Sequence, residues 1–187
     1  MNYDAQATGF DKALREAIAA ITDEYIRIPI AGGSALIRER AFAYELYHQL
    51  RARCEGMNYS LTGELTKAGH PHLRARGLSG FAPDLLLHVP GDMAGNFVAI
   101  EIKGGPPRSA ALRKDLTSLS ILRDKFGYER LIYLIYGITE SQVRSVVQAG
   151  RTAAAAGNRQ ITLERIELWV RVDGAVAPEL ISWDMVP

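Results

Sequence analysis

The chain has 187 residues, 48% hydrophobic and 23% charged, with 22 Lys and Arg against 21 Asp and Glu for a net charge of +1. This balance fits one globular domain and excludes disordered, collagen-like and mucin-like chains. A uniformly basic nucleic-acid coat is also excluded, so nucleic-acid contact would have to use local patches. The single cysteine, Cys54, allows no internal disulfide and no cysteine-rich zinc module. No run of about 18 apolar residues is present, so no membrane partner is expected. Asp4, Asp11, Lys12, Arg15 and Glu16 leave no room for a secretory apolar region, and a cytoplasmic location is expected.

The first predicted element is a helix, because Phe10, Leu14, Ile18, Ile21 and Tyr25 recur at three- and four-residue steps. Thr8 and Asp11 resemble a capping box at its start. Pro29 and Gly32-Gly33 break the pattern. Ser34 is then placed to cap a second helix with the face Ile37, Ala41, Phe42, Leu46 and Leu50, ending near Cys54–Gly56. Three strand-like stretches follow: 59–66, 84–89 and 97–103. The turn-rich Pro90–Asn96 between the last two predicts an antiparallel hairpin.

Gly104-Gly105-Pro106-Pro107 stops the third strand, and a third helix carries Leu112, Leu116, Leu119 and Phe126 on one face. Residues 131–136 are apolar enough for a strand buried on both faces. Thr139 and Gln142 form a capping box for a helix with Val143, Val146 and Val147 inward. Gly150 falls on the same face and weakens that helix by roughly 1 kcal/mol relative to alanine. Residues 165–172 alternate as a fifth strand with one wet face, carrying Glu167, Trp169 and Arg171. The predicted order is α-α-β-β-β-α-β-α-β, an α/β (α+β) fold with a mixed central sheet of about five strands flanked by helices. One domain is expected over 1–187, with a helical extension at 1–33, a core at 34–137, and a closing helix and strand at 138–187.

The chemistry concentrates in the hairpin. Pro83-Asp84 opens its first strand and Glu101-Ile102-Lys103 ends its second. Strand alternation puts Glu101 and Lys103 on one face, with Ile102 pointing the other way. The register decides where Asp84 falls. If paired numbers sum to 185, Asp84 faces Glu101; at 187 it faces Lys103; at 186 it falls opposite Ile102, on the wrong face. In either of the first two registers, two carboxylates and an ammonium cluster together. Two convergent carboxylates repel unless a cation lies between them. Mg2+ commonly takes one or two carboxylates, waters and phosphate oxygens, and a lysine can hold a water and offset phosphate charge. The outline is that of phosphodiester hydrolysis.

Pro83-Asp84 followed by Glu101-Ile102-Lys103, downstream of a helix with glutamates, resembles the PD-(D/E)XK nuclease superfamily, the restriction-endonuclease-like fold. The element order over about residues 35–137 resembles the core of that superfamily. The resemblance implies a Mg2+- or Mn2+-dependent endonuclease. Asp84, Glu101 and the Ile102 carbonyl would bind metal, and Lys103 would position the attacking water. It also implies a further glutamate from the helix before the sheet. Glu39 and Glu45 are the candidates, with Glu39 slightly favoured at the edge of the apolar stripe.

Glu64 is an accessory candidate on the first strand, beside the open backbone of Gly63. Lys67, Arg74 and Arg76 lie in a loop without acids and suit phosphate-backbone contact, as do Arg113 and Lys114 on the helix after Lys103. His70, His72 and His88 lack the spacing of a zinc site. No phosphate-binding glycine loop or nucleophile elbow occurs. The expected partner is nucleic acid, DNA in the first instance, and a homodimer would serve an enzyme that cuts both strands. The alternative is a non-catalytic nucleic-acid-associated adaptor or assembly subunit on the same fold. The small net charge favours that alternative; the intact Asp84, Glu101 and Lys103 disfavour it.

Overall fold

A computed structural model describes residues 3–63, 83–156 and 159–185. Helices α1 (Tyr3–Ala19), α2 (Asp23–Ile26) and α3 (Glu39–Arg53) precede strands β1 (Ser60–Gly63), β2 (Leu85–His88) and β3 (Asn96–Gly104). Then follow α4 (Ser109–Phe126), β4 (Arg130–Ile138), α5 (Glu140–Ala155), β5 (Ile166–Val172) and β6 (Glu179–Ile181). The strands form one mixed sheet in sequence order, β1 to β6. The β3–β4 and β4–β5 pairs are parallel and the other pairs antiparallel.

The α/β expectation holds, with six strands instead of about five. The extra strand, β6, is three residues long, too short to announce itself by alternation. Alternation along β4 sends Tyr133 and Ile135 toward α4 and α5, and Ile132, Leu134 and Tyr136 toward α1 and α3. Every residue of β4 after Arg130 is buried, as a central strand between two helical layers must be.

Local signals explain two helix ends. Gly127 closes α4 at φ 69°, a left-handed turn glycine adopts without penalty, and its N–H bonds Arg123 O at 2.9 Å. Gln142 Oε1 accepts from the Thr139 N–H at 2.8 Å, completing the expected capping box of α5.

Three expectations are corrected. Helix α1 already runs from Tyr3, so Thr8 and Asp11 lie inside it, and Asp11 instead pairs with Arg130 at 2.6 Å. The second long helix starts at Glu39 and not after Ser34, because Ile28 and Leu36 bridge through paired backbone hydrogen bonds of 2.8 and 2.9 Å. The chain over 28–36 is thus a small hairpin, and Glu39 becomes the first residue of a helix.

The third correction concerns the face of β5 predicted to be wet. Trp169 is 1% exposed and Arg171 5% exposed. Helix α1 and the turn after it cover them: Arg15 stacks over Trp169, and Arg171 Nη1 donates to Ile18 O and Ile21 O at 2.9 and 3.0 Å. Polar residues on that face mark a buried hydrogen-bonded contact. Helices α1 and α2 are therefore built into the same core as the sheet, through Phe10, Leu14, Ile18 and Ile26.

Candidate metal and phosphate site

The β2–β3 ladder pairs Leu85 with Ile100, Leu86 with Ala99 and Leu87 with Val98. This is the register that sums to 185. Continued by one residue, it sets Asp84 opposite Glu101 on the face shared with Lys103. Asp84 lies just before the first ladder residue of β2. From there its Oδ2 accepts the Ile102 N–H at 2.7 Å, replacing the strand partner that β2 no longer supplies. In a strand, the N–H and C=O of one residue leave by the same edge. The Ile102 carbonyl therefore emerges beside Asp84.

Glu39 joins from the first turn of α3. Its Oε2 stands 3.2 Å from Lys103 Nζ, and its Oε1 accepts the Gly104 N–H at 3.4 Å. Asp115 joins from α4, its Oδ2 at 3.5 Å from the same ammonium, an ion pair without a hydrogen bond. Tyr133, the register partner of Glu101 on β4, places a buried hydroxyl here that has no hydrogen-bond partner. The backbone packs closely at this point. A Cβ on Gly104 would come within 2.4 Å of Ile37 Cγ2 and 2.8 Å of the Tyr136 hydroxyl, so only glycine fits after Lys103.

Four carboxylates thus surround one lysine, and their electrostatics are unsettled. Burial pushes the Asp84 carboxyl up to about 6, against the pull of the Ile102 N–H and Lys103. Burial, then the charges of Asp84 and Asp115, hold Glu101 well above the ordinary carboxylate range. Asp115 is also raised, mainly by burial. Lys103 is raised despite its burial, because Asp115 and Glu39 outweigh the desolvation. It is a fixed cation and not a neutral base.

The structure brings together Asp84, Glu101, Lys103 and Glu39 of the residues singled out from sequence. Glu45 is engaged along its own helix, accepting from Gln49 Nε2 at 2.7 Å. Lys114 lies close enough to pull Glu101 and Asp115 downward. Arg113, grouped with it as a nucleic-acid contact, points elsewhere: its guanidinium donates to the backbone carbonyls of Ala153 and Arg159. Glu64, Lys67, His70, His72, Arg74 and Arg76 lie outside the described residues. His88 bonds Thr62 Oγ1 at 3.2 Å across the sheet.

Sequence reasoning missed Asp115 and Tyr133. Asp115 was findable: it falls between Leu112 and Leu119 at helical spacing, an acid inside an apolar stripe. Tyr133 carried no signal, being one of two tyrosines in a continuous apolar run.

The donor set fits a hard divalent cation. Asp84 and Glu101 are oxygen donors whose mutual repulsion a cation would relieve, and Mg2+ needs only one or two such carboxylates beside its waters. Among the described residues, no group of three or more His, Cys, Asp or Glu side chains is placed to hold a metal ion, so the protein side chains here offer at most the pair Asp84 and Glu101. No protein-family model, curated protein or solved structure matches this chain.

Proposed function

We propose that this chain is a Mg2+- or Mn2+-dependent nuclease that hydrolyses phosphodiester bonds of nucleic acid, DNA in the first instance. The observation that carries the reading is the convergence of Asp84, Glu101 and Lys103 at the carboxyl end of β3, where one lysine faces more carboxylates than it can neutralise. Open α/β sheets bind ligands at the carboxyl ends of their strands. The element order among the described residues, α3-β1-β2-β3-α4-β4, is the order on which the resemblance to PD-(D/E)XK nucleases rests.

Asp84, Glu101 and the Ile102 carbonyl would hold the ion. When bound, it supplies a water of lowered pKa and offsets phosphate charge. Lys103, kept protonated by Glu39 and Asp115, donates hydrogen bonds to the attacking water and to a phosphate oxygen. Glu39 and Asp115 are positioning residues that fix the ammonium from two elements.

The test is cleavage of single-stranded, double-stranded and branched DNA, and of RNA, with Mg2+ or Mn2+. Wild-type protein is expected to cut at least one, and Glu101→Gln and Lys103→Ala to cut none while staying folded. A folded wild type that binds Mg2+ and cuts nothing would favour the adaptor reading. Cutting that survives both substitutions would remove the site from consideration.

A further inference from the structure

Helix α3 starts at the proposed active site with Glu39 and runs away from it. Phe42, Leu46 and Leu50 bury its inner side. Another face carries Tyr44, Tyr47, His48 and Arg51, at steps of three and four residues, so they form one stripe about 10 Å long. Tyr44 is 59% exposed, a large aromatic surface left open to solvent. The Tyr47 hydroxyl donates to Leu61 O at 3.3 Å, which fixes its ring against β1.

Two hollows lie along this stripe. The first, of about 370 Å³, is lined by Tyr44, Tyr47, Gly63, Asp84 and Leu85. Asp84 forms part of its wall, so the hollow adjoins the proposed site. The second continues past Tyr47 to His48 and Arg51. Gly63 keeps the floor of the first hollow low: a Cβ there would meet Asp84 O, Leu85 and Tyr47 only at 3.6–3.8 Å, ordinary contact distances. A larger side chain would fill the hollow without forcing the backbone apart.

We propose that this stripe is a single-strand track. A nucleobase stacks in the hollow between Tyr44, Tyr47 and Asp84, and the adjoining phosphate meets Arg51. Aromatic rings beside a cation are the arrangement by which unpaired strands are held, since every base has a face that stacks and every link carries a charge. A base stacked inside a duplex has both faces covered and cannot enter. The proposal rests on the nuclease reading for what lies next to Asp84, and it narrows the substrate to single-stranded nucleic acid or unpaired ends.

The test is binding of a single-stranded DNA oligonucleotide carrying 2-aminopurine, and of the matching duplex, in EDTA so that nothing is cut. Wild-type protein is expected to prefer the single strand and to change the 2-aminopurine fluorescence by stacking. Tyr44→Ala, at an exposed position that folding does not need, should weaken single-strand binding about tenfold and abolish that change. Gly63→Leu should do the same by filling the hollow, and Arg51→Ala should lower the salt dependence of binding. Single-strand binding and fluorescence that survive Tyr44→Ala and Gly63→Leu would overturn the track, as would equal loss on the duplex. Because no metal is present, a track confirmed here in a protein that cuts nothing would fail the nuclease reading alone. Cleavage unaffected by either variant would fail the track alone.

Discussion

Asp84 Oδ2 accepts the backbone N–H of Ile102 at 2.7 Å, so a side chain takes over where the β2–β3 ladder ends. The same carboxylate thereby serves two ends. It caps the free edge of β3, and it is held beside Glu101 and the Ile102 carbonyl. Its charge and its hydrogen bond can be separated by substitution.

Asp84→Asn keeps an oxygen that can accept from Ile102 and removes the charge. Asp84→Ala removes both. Sequence alone argues that Asp84→Ala should stabilise the metal-free fold by relieving repulsion from Glu101. The hydrogen bond opposes this, since losing it costs about 1 kcal/mol. Asp84→Asn is therefore expected to be more stable than Asp84→Ala by about that amount in urea denaturation, while both abolish Mg2+-dependent cleavage. Equal stabilities would show that the Ile102 bond contributes nothing.

The metal-free protein should lose stability as pH rises. Asp84 moves from an ordinary 3.8 to about 6 on folding, and Glu101 also moves up. A carboxyl raised by folding binds its proton more tightly in the native state, so unfolding free energy falls between the unfolded and folded pKa values. For Asp84 that window is pH 4 to 6, worth at most about 3 kcal/mol, and Glu101 extends it upward. Mg2+ should restore the loss above pH 6. Glu101→Gln should flatten the pH curve, raise metal-free stability at pH 8 and reduce the response to Mg2+. Thermal melts from pH 4 to 8, with and without Mg2+, decide; a melting temperature that climbs with pH in EDTA would contradict the account.

The hairpin was legible because its information is local. A turn-rich loop and strict alternation limited Asp84 to two useful registers, and packing chose between them. Glu39 stands at the edge of the apolar stripe and is also the first residue of α3, and the contacts that bring it to Lys103 and Gly104 come from strand β3, which helical periodicity does not see. The chain over 28–36 misled because its bridge between Ile28 and Leu36 involves single residues, invisible to periodicity. The polar face of β5 misled for the opposite reason. Arg171 looks solvated by alternation, yet its Nη1 partners, Ile18 O and Ile21 O, lie at least 150 positions away; Trp169, a packing residue, bonds Glu167 Oε2 at 2.9 Å and lies under Arg15.

Arg171 makes that contact testable. Its guanidinium donates to Ile18 O, Ile21 O and, through Nε, to Ala175 O at 3.1 Å, so one side chain fastens the end of α1 to β5. Arg171→Met keeps the apolar volume but removes the guanidinium that Ile21 O and Ala175 O accept from, while Ile18 O keeps the Ile21 N–H at 3.2 Å. The expected cost is about 3 kcal/mol, in the range for breaking a buried polar network. Hydrogen exchange should rise first across α1 and leave β4 protected. A loss below about 0.5 kcal/mol in chemical denaturation would show that α1 is held by apolar packing alone.

Gly150 sets local helix propensity against packing. Replacing a glycine inside a helix by alanine normally stabilises by roughly 1 kcal/mol. Here a Cβ would lie 2.2 Å from Trp183 Cζ3, and the Trp183 ring is anchored by its indole N–H to Ile166 O at 2.6 Å. The ring cannot swing away without giving up that bond, and a rigid ring yields less than a flexible chain end. Overpacking of this kind costs about 1–3 kcal/mol, so the clash should outweigh the propensity gain and Gly150→Ala should lower stability. Trp183→Leu in the same background removes the ring. In that double variant the alanine should regain its helix advantage, and the effect of Gly150→Ala should change sign. Denaturation of the four proteins of this cycle measures the coupling, and additive effects would show that the ring does not set the need for glycine at position 150.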